Sequence, residues 1–598
     1  MVLLPRLASW LTACLPVSKT HSKTHSLSQK PILKTTVHLA SLSAQLITEL
    51  VPGIRMSRTQ KRILPAHMGA GFIGAEVASW WALSPSLLPK PWWVTAANLA
   101  VLQAVGHAVA TGIHTVLPTT SRQLSKIHIT TGTITATTTA VGLIRHRTQI
   151  RLIGTKDIGP KDTIAGIVFG TLGYGALLIG GELTQHSINK VKRHIEKFLP
   201  PWISFIAAVA AITITTLTLA DRVLLRRILH NSAIQAERLN RLVFPGTEQP
   251  WEPERSGSPW SYEKWGAVGS QGRAVLSGGP RKDDIITVTR LPAASVHEPI
   301  RIFIGKIPGR SISDQIKLVI QEIHRTGALR RDHIVINNST GTGWITDWSA
   351  HTFEFLTGGN CATLSIQYSY LPSALSWYKD NDAPINAARL LIDALLHQLN
   401  LLPKASRPKL FLAGESLGAY GLVEVWGDVE KLLEVADGVL LSGTPRFSDS
   451  MNAFRARRDA GSSERLPVID SGRHIRFAGN PDHLKMASTW EFPRMIVAQH
   501  ASDPIVWWDA ALFFRAPEWL KTPKQDHQDV FPRLRWVPFV TGWQVALDLL
   551  TSTAVPGGHG HNYHEEFIDY WAALLDRDVT PELRHAISYW IRANHIKR

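Results

Sequence analysis

Cysteine is almost missing from this chain: Cys14 and Cys361 are the only two in 598 residues. That scarcity excludes a disulfide framework and the paired-cysteine spacing of structural zinc sites. Charge is scarce too, with 19% Asp, Glu, Lys and Arg set against 44% hydrophobic residues. A soluble domain usually carries about a quarter charged residues. The shortfall is concentrated before residue 221 and points to a membrane part. A Walker loop, a zinc-ligand spacing and a dinucleotide fingerprint in strand–turn–helix context are also absent, so no metal, nucleotide or redox cofactor is implied.

Acidic residues are the rarer sign, which leaves a net charge of +17. The basic residues form short runs beside apolar segments, such as Arg55, Arg58, Lys61 and Arg62, and again Arg222, Arg226 and Arg227. Nucleic-acid binding calls instead for basic patches interleaved with aromatics. Juxtamembrane charge explains the runs, and the expected partner is a lipid bilayer, with no nucleic acid.

Along the chain, residues 1–62 are rich in Ser, Thr, His and Lys and read as a poorly ordered extension. Residues 63–230 read as a transmembrane helical domain. Segments near 68–88, 93–113, 162–183 and 201–220 each offer the roughly 20 apolar residues that a span needs. A threonine-rich stretch at 127–144 leaves the count at four or five. That parity sets which side of the membrane the rest of the chain occupies, and the side stays open. Trp80, Trp81, Trp92, Trp93 and Trp202 stand at or near segment ends, where indoles prefer to sit. Glu76, Glu182, His107 and His114 fall within or at the ends of these spans but form no recognisable pathway. Residues 231–285, rich in Gly, Pro and Trp, read as a linker and irregular lead-in. Over 286–598, apolar runs at 300–304, 333–337, 362–367, 409–413, 438–442, 474–478 and 495–499 alternate with helical patterns. The alternation predicts a mostly parallel sheet with helices on both faces.

Within that domain LFLAGESLGAYG, residues 410–421, places Ser416 between glycines at the junction of a strand and a helix. A nucleophile elbow has this form: the strand ends, a strained turn lifts the hydroxyl clear of the sheet, and a helix begins at once. The acid and the base should follow in the order Asp, His. Asp503, after the run RMIVAQH, is the preferred acid, with Asp482 in AGNPDHL as the alternate. His559 in PGGHGHNY is the preferred base, with His561 two residues on as the alternate. Two amide donors must stabilise the oxyanion. One is the N–H of Leu417, and the other belongs to NNSTGTGW, with Thr342 or Gly343 as the donor.

GESLGAYG, ASDPIVWW, PGGHGHNY and NNSTGTGW together resemble the motifs of the actinobacterial integral-membrane α/β-hydrolase family, and SPSLLPKPWW at 84–93 resembles its N-terminal membrane domain. The resemblance runs from about residue 65 onward. It implies a multi-pass helical membrane domain followed by an α/β-hydrolase catalytic domain. The function expected is a membrane-anchored serine hydrolase, esterase- or lipase-like, cleaving an acyl ester of lipidic character through an acyl-serine. The alternatives are an acyltransferase acting on cell-envelope lipid or glycan, and a catalytically inactive membrane scaffold or transport component. One departure from the usual fold is visible: residues 534–555 read as apolar helix where a last strand would stand. The reading there is a lid or acyl groove involving Trp543 and Val545, or else ordinary core packing.

Overall fold

The computed structural model describes residues 68–117, 121–219, 234–521 and 529–596. The expected extension over 1–62 lies outside these. From Ala70 onward the chain forms one unit. Its first part is helical: α1 Met68–Ala82, α2 Trp92–Val116, α3 Ser121–Ile153, α4 Pro160–Ile195 and α5 Pro201–Leu219.

Two of these helices, α2 and α4, are long and apolar enough to cross a membrane. Much of their apolar surface faces outward, including Val109, Ile113, Ile164, Val168, Phe169 and Leu172. The segment expected to run from 68 to 88 stops as a helix at Ala82, ahead of the proline-bearing loop SPSLLPKP. The threonine-rich stretch belongs to a 33-residue helix. Its hydroxyls fold back onto carbonyls one turn earlier, as in Thr133 to Ile129 (2.9 Å) and Thr135 to Thr131 (2.8 Å). Such back-bonding lets threonine sit in a helix without an unmet donor.

The second part is built on a parallel sheet. Its strands are β1 Ile300–Ile304, β2 His333–Asn338, β3 Cys361–Ile366, β4 Lys409–Glu415, β5 Gly438–Ser442, β6 Ile475–Ala478 and β7 Arg494–Ala498. They lie in the order β1-β3-β2-β4-β5-β7-β6, with every pairing parallel. Strands of this kind are buried on both faces, so they read in sequence as unbroken apolar runs. Ile334, Ile336, Leu410, Leu412, Val439 and Leu441 pack against Val319, Ile323, Leu391 and Leu395 of the helices Ile312–Thr326 and Ala383–Asn400. On the opposite face Val335, Phe411, Leu440 and Ile496 meet Phe353, Phe567, Trp571 and Ile587. Among the described residues no strand follows β7. The order reverses beside β4, and ligands of open α/β sheets bind at the carboxyl ends of the strands near such a reversal.

The helical part and the sheet part meet through residues 534–555. Phe539, Val540 and Trp543 pack on Ala82, Leu99 and Leu102. Val545 and Val555 join Leu87, Leu88 and Ile153 in a second cluster. At its centre the buried Asp548 accepts from the Ser86 hydroxyl (2.9 Å) and from the amides of Leu87 (3.0 Å) and Leu88 (3.3 Å), with the Lys90 ammonium at 3.9 Å. The apolar face read as a lid or acyl groove is therefore spent on holding the two parts together. Neither Trp543 nor Val545 lines the cavity that contains Ser416.

Candidate active site

β4 ends at Glu415, and the helix Leu417–Val423 begins one residue later. Between them Ser416 adopts φ 55°, ψ −120°, a conformation unfavourable for a residue with a side chain. The flanking glycines make it possible. A Cβ on Gly414 would stand 2.6 Å from the Gly418 carbonyl carbon, and one on Gly418 would stand 2.1 Å from the Asn338 oxygen. The Ser416 amide donates to the Ser442 carbonyl (2.9 Å), which ties the turn to β5.

Asp503 follows β7 and is fully buried. One of its carboxylate oxygens caps the next turn, accepting from the Ile505 amide (2.9 Å). The other accepts from His561 Nδ1 (2.7 Å) and from the Tyr563 hydroxyl (2.9 Å). With Nδ1 donating, His561 Nε2 carries the lone pair. That nitrogen is buried and has no hydrogen-bond partner. His561 and Ser416 both line one cavity of about 590 Å³. Gly443 makes room for the ring, since a Cβ there would lie 2.4 Å from His561 Cε1.

His559, the preferred base on sequence grounds, is not brought to Ser416. The turn between Gly558 and Asn562 sends alternate side chains to opposite sides, with Gly558 and Gly560 both at positive φ. His559 lines a different cavity of about 310 Å³, where its Nδ1 stands 3.9 Å from Asp529. Asp482, the alternate acid, is 80% exposed and paired with Lys485 (2.7 Å) beyond the edge strand β6. The structure thus gathers Ser416, Asp503 and His561, and leaves His559 and Asp482 outside.

For an oxyanion, Leu417 opens its helix, and an N–H at that position has no acceptor within the helix. Of the two expected partners in NNSTGTGW, Gly343 donates its amide to the Thr340 carbonyl (2.9 Å) and does not line the cavity. Thr342 lines the cavity with Ser416.

Four supporting residues escaped the sequence reading. Tyr563 stacks on His500 (4.1 Å between ring centres, 13°) while donating to Asp503. His500 donates from Nδ1 to the Gly560 carbonyl (2.8 Å) and from Nε2 to Glu566 (2.9 Å). Two donating ring nitrogens describe an imidazolium. Burial opposes that charge, but the bond to Glu566 and its negative charge outweigh burial and raise the His500 pKa to about 9. The fourth is Glu415, next to the nucleophile. It lines the same cavity and has an unpartnered buried Oε2. Burial, with Asp503 and Glu566 adding to it, pushes its carboxyl well above the ordinary range. The spacings H-x-Y at 561–563 and E-S at 415–416 were the available signals, but neither marks a role without the fold.

A parallel sheet with a serine elbow after a central strand, and an acid and a histidine on later loops, defines an α/β-hydrolase architecture. Consistent with it, residues 300–587 match the model of an alpha/beta-hydrolase family, and residues 83–280 match the model of an alpha/beta-hydrolase family N-terminus. The two matches indicate an alpha/beta-hydrolase family and with it a hydrolase-type function. No curated protein and no solved structure matches the chain.

Proposed function

We propose that this protein is a membrane-anchored serine esterase in which Ser416, His561 and Asp503 form the catalytic triad. The reading rests on one observation: His561 is fixed by Asp503 at Nδ1 and presents an unpartnered Nε2 in the cavity of a strained Ser416. In the reaction, Ser416 Oγ attacks the ester carbonyl carbon and its proton passes to His561 Nε2. Asp503 holds the ring in the required tautomer and stabilises the imidazolium. The tetrahedral oxyanion takes hydrogen bonds from Leu417 N–H and from Thr342. On collapse, the acyl–oxygen bond breaks and His561 returns the proton to the departing alcohol, leaving an acyl-serine. Water, activated by the same histidine, then releases the acid. If an acceptor hydroxyl takes the place of water, the outcome is acyl transfer.

The outward apolar surfaces of α2 and α4 support anchoring in a bilayer, and the motif resemblance supports a multi-pass, actinobacterial membrane enzyme. A direct test is intact-mass analysis of the detergent-solubilised full chain, quenched while it turns over p-nitrophenyl butyrate. The expected adduct is one butyryl group on Ser416, absent from Ser416→Ala. Turnover with acylation at another residue, or with none, would contradict the proposal.

A further inference from the structure

The cavity beside Ser416 has few aliphatic walls. Pro372 and Ile591 are its only aliphatic lining residues among those described. The loop after β2 contributes Thr340, Thr342, Trp344 and Thr346, and the histidine loop contributes Asn562. The apolar segment that could have formed an acyl groove is occupied in packing on α1 and α2.

Apart from Glu415 beside the nucleophile, the charged groups on the wall are paired. Asp347 faces His595 (3.1 Å), and Arg592 faces Glu565 (2.7 Å). A charged ligand would have to compete with these pairs, whereas a neutral one would not. Threonine hydroxyls and a carboxamide can both donate and accept, which suits ligand hydroxyls that do the same. Trp344 adds a half-buried indole. Trp348 is not a comparable platform, because His564 stacks on it (5.2 Å, 23°) and the Arg592 guanidinium lies 5.9 Å from its ring centre.

Resting on the esterase reading above, we infer that the group filling this cavity is a neutral, hydroxyl-rich one, a sugar or polyol, carried as the alcohol of the ester. The alcohol is the part assigned because the acyl groups of bilayer esters are hydrocarbon, and hydrocarbon would leave the wall's hydrogen-bonding groups unmet. The chemistry balances in either direction. In hydrolysis the acyl–oxygen bond to the sugar breaks, the sugar oxygen takes the proton from His561, and water discharges Ser416. In transfer a sugar hydroxyl gives its proton to His561 and attacks the acyl-serine. Sites built to bind hydroxyls discriminate strongly against analogues that lack them.

The test compares two acetate esters on the full chain in detergent: an acetylated methyl glucoside and decyl acetate, so that the acyl group is constant. A fluorophosphonate label on Ser416 is recorded first. The expected kcat/KM is at least tenfold higher for the sugar ester. Trp344→Ala should lower sugar-ester turnover at least tenfold more than decyl acetate turnover, and Trp344→Phe should restore most of that difference. A labelled Ser416 with equal or greater preference for decyl acetate would overturn this inference and leave the esterase standing, as would equal losses on both esters in Trp344→Ala. No label on Ser416 would overturn the esterase reading and this inference with it.

Discussion

Two aspartate–histidine pairs lie back to back on one turn, and they differ in almost every physical respect. His561 meets Asp503 at 2.7 Å, with exposures of 7% and 0%, and its second nitrogen lies in the Ser416 cavity. His559 meets Asp529 at 3.9 Å, with exposures of 25% and 16%, and faces a cavity that does not contain the serine. Asp529 is also held by the Ser502 hydroxyl, which in turn accepts from the Gly560 amide (2.8 Å). The second pair therefore braces the turn from behind, while the first presents a base. A histidine's role is set by what its far nitrogen faces, and two residues along a turn reverse that.

The comparison is broken most severely at the triad. Ser416→Ala and His561→Ala should each lower ester turnover by about 10⁴-fold or more, since only binding and oxyanion contacts remain. Asp503→Asn should lower it by about 10⁴-fold through loss of the tautomer. Steady-state kinetics on p-nitrophenyl butyrate would check all three, with His559→Ala staying within about tenfold of wild type.

The next largest effect concerns what supports the turn. Leu87, Leu88 and Val555 share a cluster, and Leu88 approaches Gly560, so Asp548 holds the 84–90 loop beneath the histidine loop. Asp548→Ala would strand the buried Lys90 and three donors, and should destabilise the protein by about 3–5 kcal/mol. Denaturant midpoints in detergent would measure it. A shift smaller than 1 kcal/mol (roughly the worth of an exposed ion pair) would mean the latch is not structural.

Smaller still is Gly443→Ala, which puts a methyl against the His561 ring and should reduce kcat by about 10²-fold, the scale of a misplacement near 1 Å. Circular dichroism should remain native, because the clash is with the His561 and Tyr563 side chains and not with backbone.

The mildest test sharpens the comparison through pH. The folded His500 pKa is about 9 against an ordinary 6.5, so its stabilisation is complete below 6.5 and is lost as pH rises through 9. Glu566 is held below its ordinary 4.5, its burial outweighed by the bond to His500, so its share is present above 4.5 and is lost as pH falls. Stability should thus decline as pH rises from 6.5 through 9, and His500→Gln should flatten that decline. An unchanged slope in the variant would remove the pair from the account.

The sheet was legible in the sequence because parallel strands covered on both faces leave unbroken apolar runs, so β1 to β7 lie within a residue or two of the expected segments. The elbow was legible because only glycine fits at 414 and 418. Which histidine faces Ser416 was not, because spacing on a turn with two positive-φ glycines does not reveal which way a side chain points. Nor was the fate of 534–555: apolar periodicity says that a face is buried, not against what. Trp543 finds α1 and α2, and Thr342 and Trp344, from a loop read for an oxyanion donor, also line the cavity. For a related reason, tryptophan-flanked apolar character over 68–88 does not show that Pro85 and Pro89 stand in a loop; among the described residues α2 and α4 are the two helices long and apolar enough to cross a membrane.

The most direct measurement is peptide mapping after fluorophosphonate labelling of three proteins: wild type, His559→Ala and His561→Ala. The account requires the label on Ser416 in wild type and in His559→Ala, formed at comparable rates, and its near-complete loss in His561→Ala. A label that survives in His561→Ala but disappears in His559→Ala, or that settles on a serine other than 416, would contradict it.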